Sequence, residues 1–320
     1  MDAITLEEHF VTKSFLKATG ASGQTVPPPI AQLQPKLLDI GAGRIAAMDE
    51  ARIDFQVLSL AALGFDALDA ASATPLARDV NDELAEAVRA HPTRLGGFAA
   101  LALKDPATAA TELERCITRL GFHGALLNGT TSGLFLDDPR FLPVFDAAAH
   151  LDVPIYLHPA PPPEPVGRAY FSGLPGETGQ LLSIAGWGWH AETGLHTLRL
   201  IVSGLFDRLP TLQLIIGHMG EGLPYAMARS SGILSQGAPQ LRQPVAAYFQ
   251  SNIHITTSGY FTVPPFQCAL EVVGVDRMMF SVDYPFSPNT NGRDFLNALP
   301  LGKEDMAKLT HTNAEALFKL

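Results

Sequence analysis

Short apolar runs recur along the whole chain, at 3–8, 55–61, 95–101, 124–128, 154–158, 212–217, 253–258 and 278–283. Most are continuous rather than alternating, the pattern of strands buried on both faces of a parallel sheet. Between them, apolar residues return at the three- and four-residue spacing of helices: 35–52, 75–90, 106–120, 139–151, 194–209, 222–234 and 264–273, with a last helical region at 303–318. In the fifth of these, Leu195, Leu198, Val202 and Leu205 mark the apolar stripe, with Arg199 and Arg208 interspersed. Several helices begin close to a proline, which costs nothing in the first turn because the N–H there has no partner to lose. Eight strands, each followed by a helix, predict an α/β fold of the (β/α)8, or TIM, barrel type. No Gly/Ser-rich or charged linker interrupts the alternation, so residues 1–320 are expected to form one domain.

Two connections exceed the usual length of α/β loops. One follows strand one, across 10–34, and contains Pro27-Pro28-Pro29. The other follows strand five, across 159–193, and carries Pro161-Pro162-Pro163, Tyr170, Phe171, Trp187, Trp189 and His190. Both leave the C-terminal ends of strands, where barrel enzymes build their sites. They suit the walls and lid of a small apolar or aromatic pocket, or else surface elaboration and a subunit contact.

Composition narrows the partners. A net charge of −10 over 320 residues argues against nucleic acid and against an anionic membrane surface. No stretch approaches the roughly 20 apolar residues of a membrane span. Met1-Asp2 leads straight into a strand without a basic and apolar leader, and Cys116 and Cys268 are the only cysteines. A cytoplasmic location without disulfides is the expectation.

The chemistry gathers where strands end. Strand one ends in Glu7-Glu8-His9; in a strand Glu7 and His9 share a face and Glu8 takes the other. Alone, this pair reads equally as a surface Glu and a capping His. Yet strand four ends in Asn128-Gly129, strand five in His158-Pro159, strand six runs into His218-Met219-Gly220-Glu221, and strand eight ends in Asp283-Tyr284-Pro285. Histidines scattered through a core have no reason to sit at C-terminal strand ends. His91, His150 and His311 fall in or beside helices, and His123 opens a strand at the opposite end of the barrel. His190, His196 and His254 read as structural. Glu7, His9, His158 and Asp283 offer two imidazoles and two carboxylates, a ligand set for one catalytic Zn²⁺ or Mn²⁺ with open positions.

The stretches Leu6-Glu7-Glu8-His9-Phe10, Gly124–Gly129, Tyr156-Leu157-His158-Pro159, Ser203–Asp207, Gly217-His218-Met219-Gly220-Glu221-Gly222-Leu223-Pro224 and Phe280–Phe286 span nearly the whole chain. In that order they resemble the amidohydrolase superfamily, in the branch of the non-oxidative aromatic-acid decarboxylases acting on γ-resorcylate (2,6-dihydroxybenzoate) and 2,3-dihydroxybenzoate. The resemblance implies metal ligation by Glu7, His9, His158 and Asp283, and an acid–base pair of His218 with Glu221. It also implies a substrate contact at Asn128, and Arg229 reaching towards substrate from a neighbouring subunit of a homodimer or homotetramer. Many hydrolytic members open with His-x-His and place a bridging lysine at the end of strand four. Here Glu-x-His and Asn128 stand in those positions, which favours a single metal.

The expected activity is that of a carboxy-lyase: metal-dependent, reversible decarboxylation of an ortho-hydroxy aromatic acid to a phenol and CO2. Proton transfer to the ring would fall to Asp283, with His218 and Glu221 assisting. The alternative is a metal-dependent hydrolase of a C–C, lactone or amide bond, in which the same residues would activate a metal-bound water.

Overall fold

The computed structural model describes residues 3–20, 32–61 and 64–320, so Pro27-Pro28-Pro29 lie outside the described residues. The eight strands are β1 (Ile4–Phe10), β2 (Phe55–Leu60), β3 and β4 (Leu95–Gly97 and Ala99–Ala100, one strand broken at Phe98), β5 (Ala125–Asn128), β6 (Ile155–His158), β7 (Leu214–Ile216), β8 (Ile253–Thr256) and β9 (Met278–Met279). Every pairing is parallel and between sequence neighbours, giving two arcs, β1–β2–β3 and β4 through β9. These strands and the helices around them form the (β/α)8 barrel.

The barrel interior is filled by Ile4, Leu6, Phe55, Val57, Phe98, Leu126, Tyr156, Ile215 and Met279. A second, larger buried layer packs the helices on the outside of the strands and includes Phe10, Leu58, Leu127, Leu157 and Ile216. In β1 the sides exchange partway along. Ile4 and Leu6 belong to the interior, so strict alternation would send Glu8 inward and Glu7 and His9 outward. The register against β2 shifts between Thr5 and Glu8: Thr5 pairs with Gln56, and Glu8 with Leu58. Leu6 and Glu7 of β1 thus oppose the single Val57 of β2, a bulge that reverses the parity. Beyond it Glu7 and His9 face the barrel mouth, and Phe10 joins the outer layer.

The same bulge lies on the seam where the barrel closes. The adjacent N–H groups of Leu6 and Glu7 both donate to Ser281 Oγ, at 3.1 and 2.7 Å. His9 N–H donates to Tyr284 O at 2.7 Å. Buried Arg44 donates from Nη2 to His9 O at 2.6 Å and lies 4.9 Å from the Tyr284 ring centroid. Backbone, hydroxyl and guanidinium together join the first strand to the end of the last.

All eight expected strands occur, though 278–283 pairs only over Met278–Met279, and the next N–H, of Phe280, donates instead to Leu309 O at 2.8 Å. Among the described residues, the helices Lys13–Ala18, Val245–Asn252, ahead of β8, and Asn289–Ala298 had no counterpart in the pattern. The connection after β6 is itself structured, with helices Glu164–Phe171 and Thr178–Ser183 before Gly188–Val202. Among the described residues no helix is long and apolar enough to cross a membrane.

Candidate metal centre and acid–base site

At the C-terminal mouth, β1, β6 and the segments after β7 and β9 bring their polar ends together. Ligand atoms of Glu7, His9 and His158 lie within 4.8 Å of one another, as do those of Glu7, His218 and Asp283. Glu7 Oε1 stands 3.3 Å from His158 Nε2 and 3.6 Å from His218 Nε2. His9 Nε2 stands 3.2 Å from Asp283 Oδ1, and His218 Nε2 3.9 Å from Asp283 Oδ2.

Each group is held from behind. Glu7 Oε2 accepts from the Tyr156 hydroxyl and, at 3.2 Å, from Thr256 Oγ1, while Tyr156 and Thr256 lie 2.9 Å apart. Glu7 Oε1 is buried and has no hydrogen-bond partner among the described residues. His158 Nδ1 sits 2.8 Å from Pro159 O; a carbonyl only accepts, so Nδ1 carries the proton and Nε2 keeps its lone pair. His9 Nδ1 meets Ser59 Oγ at 3.2 Å, and its Nε2 has no hydrogen-bond partner among the described residues. Gly217 leaves the space this carboxylate needs: a Cβ there would come within 2.8 Å of Glu7 Oε1 and 2.9 Å of the Tyr156 hydroxyl.

A buried carboxylate oxygen and two buried imidazole nitrogens, all turned towards one another with their partners behind them, are costly unless a cation lies between them. The residues therefore fit a divalent ion. Burial would raise the Glu7 carboxyl, but His218, His158 and His9 outweigh it and hold it far below the usual carboxylate range. For Asp283, burial is likewise overcome by His218 and His9, and the net shift is downward. The side chains of Glu7, His9 and His158 are 0–4% exposed, whereas Asp283 is 19% exposed, so the centre opens on the Asp283 side.

The candidate acid–base pair forms in the segment after β7. His218 Nδ1 donates to Glu221 Oε1 at 2.8 Å, which leaves Nε2 turned towards Glu7 and Asp283. Glu221 Oε2 lies 2.6 Å from Nδ1 of His190, whose Nε2 reaches Ala185 O at 3.2 Å. Desolvation opposes charging His218, but Glu7 and Glu221 raise it well above the ordinary histidine value. For Glu221, burial is outweighed by His218 and His190, which keep it below its usual value. The backbone here is unusual: φ is positive at five consecutive residues, His218 (47°), Met219 (57°), Gly220 (83°), Glu221 (56°) and Gly222 (75°). A left-handed conformation costs a non-glycine residue about 1–2 kcal/mol. This turn is retained because it brings Glu221 back onto His218 and keeps the imidazole at the mouth.

Glu7, His9, His158, His218, Glu221 and Asp283 thus converge, as their strand-end positions predicted. Asn128 pairs with His158 in the β5–β6 register and lines a rim cavity of about 340 Å³ with Asp66, Thr130, Ala160 and Pro161 to Pro163. Its Oδ1 is buried without a partner among the described residues. Arg229 is exposed on the helix Leu223–Gly237 and makes no ion pair among the described residues of its own chain. His196 and His254 are structural: His196 Nε2 accepts from Leu136 N–H at 2.8 Å, and His254 Nε2 faces Arg277 Nη1 at 3.0 Å. His190, expected to be structural, is instead hydrogen-bonded to Glu221. Tyr156 and Glu8 also serve the site, Tyr156 through Glu7. Glu8, on the opposite face of β1, accepts at Oε1 from Ser281 Oγ and Val282 N–H (both 3.0 Å) and at Oε2 from Tyr284 N–H (2.9 Å). Burial pushes its carboxyl up to about 7 against those three hydrogen bonds.

Residues 28–320 match the family described as Amidohydrolase. The chain is 39% identical to the γ-resorcylate decarboxylase of Polaromonas sp. (strain JS666), over 99% of this chain and 98% of that protein. A crystal structure of the dihydroxybenzoic acid decarboxylase from Polaromonas sp. JS666, with bound manganese and the inhibitor 2-nitroresorcinol, superposes with a TM-score of 0.89 at 37% identity. It covers 99% of this chain and 97% of that one. The 5-carboxyvanillate decarboxylase of Sphingomonas paucimobilis gives a TM-score of 0.92 at 33% identity, covering 100% and 99% of the two chains.

Proposed function

The chain belongs to the amidohydrolase family, and on that footing we propose how its barrel mouth works. The protein is a carboxy-lyase that performs metal-dependent, non-oxidative decarboxylation of a hydroxy aromatic acid. The substrate is an ortho-hydroxy acid of the dihydroxybenzoate class, and the products are the phenol and CO2. One observation carries the assignment of residues: Glu7 Oε1 and His9 Nε2 are buried and turned inward with no hydrogen-bond partner among the described residues. Glu7, His9, His158 and Asp283 hold one divalent ion, manganese as in the relatives' structures or zinc. When bound, it supplies Lewis acidity towards the substrate carboxylate and ortho-oxygen.

The chain's own groups do the rest. Direct loss of CO2 would leave an aryl anion, so the ring carbon must be protonated first. Asp283 is the most open of the four ligands, and a ring entering from its side places that carbon within reach of its carboxyl. His218, fixed by Glu221 through Nδ1 and held charged by Glu7 and Glu221, relays its Nε2 proton to Asp283 Oδ2, 3.9 Å away, which passes it to the ring carbon; solvent returns a proton to His218 once CO2 has left. Glu221, itself bonded to His190, keeps the imidazole in one orientation. Asn128 lines the substrate wall.

Arg229 acts in a neighbouring subunit. On the helix Leu223–Gly237 it lies between Tyr225, 90% exposed, and Ile233, 55% exposed, each four positions away on the same face. Apolar side chains that far into solvent support a homodimer or a homotetramer. Two isolated cysteines, one of them buried, support a reducing, cytoplasmic setting.

Elemental analysis of active protein should find one ion per chain. His158→Ala and Asp283→Ala should lose both the metal and CO2 release from a panel of hydroxybenzoates. Active protein with no metal, or with two ions per chain, would overturn the assignment.

A further inference from the structure

Glu8 contributes no atom to the metal cluster, yet it touches both ends of it. Its carboxylate meets only donors. Ser281 Oγ already accepts from Leu6 and Glu7 N–H, so its own hydrogen points to Glu8 Oε1. Val282 and Tyr284, the residues on either side of Asp283, each direct a backbone N–H at Glu8. One carboxylate therefore clamps the backbone before and after a left-handed aspartate. Through Ser281 it also grips the bulge that turns Glu7 and His9 inward.

We infer that Glu8 is a positioning residue: it sets the placement of Asp283, from the last strand, relative to Glu7 and His9, from the first. The inference rests on the ligand assignment proposed above. It departs from a merely structural role in what it predicts for metal affinity. A glutamine at this position is almost the same shape but brings an NH2 group against a ring of donors. Whichever way the amide is turned, at least one of the Val282, Tyr284 or Ser281 bonds is replaced by an opposed pair of donors.

The test is a calorimetric titration of metal-free protein with Mn²⁺ at pH 8. The variants are Glu8→Gln and Asn252→Ala, the latter removing a buried side chain that bonds Pro210 O and Leu212 O beneath β8, away from the mouth. Glu8→Gln should weaken Mn²⁺ binding about 10–100-fold, the usual effect of removing a partner that supports a ligand. Asn252→Ala should lower the melting temperature but bind Mn²⁺ within twofold of the parent. Amide exchange in the metal-free protein should quicken at Val282 and Tyr284 in Glu8→Gln and stay unchanged in β5 and β6. Folded Glu8→Gln that binds Mn²⁺ like the parent, or equal weakening by both variants, overturns the inference. Should Glu8→Gln fail to fold, Ser281→Ala carries the test: it releases the bulge from the same clamp and should weaken Mn²⁺ binding at least tenfold, and parental affinity would refute the proposal. Loss of Mn²⁺ binding in Asp283→Ala separates this outcome from failure of the ligand assignment itself.

Discussion

At the scale of single residues, the site was legible wherever a polar side chain ends an apolar strand. Glu7, His9, His158, His218 and Asp283 could be found because the run before each one fixes its height in the barrel. His190 could not. It opens a helix after a long connection, and nothing in its neighbourhood separates it from a helix-surface histidine; only the fold brings its Nδ1 to 2.6 Å from Glu221. Tyr156 was hidden for the opposite reason, as one more large residue in a continuous apolar strand. For Glu8 the alternation gave the correct face but not its use, since the partners are backbone N–H groups more than 270 positions away. The roles of His218 and Glu221 make a prediction at this scale. His218→Ala should keep the metal and the fold while kcat falls about 10²–10⁴-fold, the usual contribution of a positioned proton-transfer group. Glu221→Gln should lose less and displace the pH–rate profile. Parental kcat in His218→Ala with metal unchanged would assign the proton chemistry to Asp283 alone.

At the scale of elements, strands were easier to read than their ends. Both faces of a barrel strand are buried, so sequence marks the run, but tertiary geometry decides where the ladder stops. Phe98 breaks the third strand, and the eighth pairs over only two residues before the chain bends to deliver Asp283. The helix Asn289–Ala298 was missed because its apolar stripe is thin, with only Phe295 and Leu296 as large buried residues. The helix Gly188–Val202 has a titratable link to the loop after β5, through the Leu136 N–H to His196 bond. Burial, the leading cause, brings the His196 imidazole down to about 4, so folded protein resists a proton that unfolded chain accepts near 6.5. That difference stabilises the fold fully above pH 6.5 and is lost as pH falls towards 4; its upper bound is about 3 kcal/mol. His254, pushed to about 3, acts in the same direction. Urea midpoints should therefore drop between pH 7.5 and pH 5. In His196→Gln, which keeps an acceptor for Leu136 but does not titrate, the drop should be smaller; an equal drop would show that His196 does not carry it.

At the scale of the whole molecule, the barrel could be inferred from the count of strands, because eight alternations leave few other closures. Subunit number could not, since exposure exists only once the chain is folded. Tyr225 and Ile233 look like ordinary amphipathic-helix residues in sequence, yet they stand out of the surface on either side of Arg229. Tyr225→Glu with Ile233→Glu should dissociate the proposed homodimer or homotetramer, as read by light scattering, and lower activity together with mass. Arg229→Ala should lower activity while the assembly stays intact. A fully active monomer at nanomolar concentration would remove both expectations.

The seam between β1 and the end of β9 also has a consequence in time. Glu7 and His9 leave the ribosome well before Asp283, which lies 276 positions after Glu7. At about 5–20 residues per second, roughly 15–60 s separate them. For that interval the nascent chain displays the Glu7 side of the cluster without its last carboxylate, and Ser281 has not yet arrived to hold the bulge. On the proposed ligand set, metal loading is thus tied to synthesis of Asp283: a cell short of the divalent ion during translation would accumulate empty barrels rather than half-built loaded ones. These should recover activity when the ion is supplied afterwards, with no new protein made.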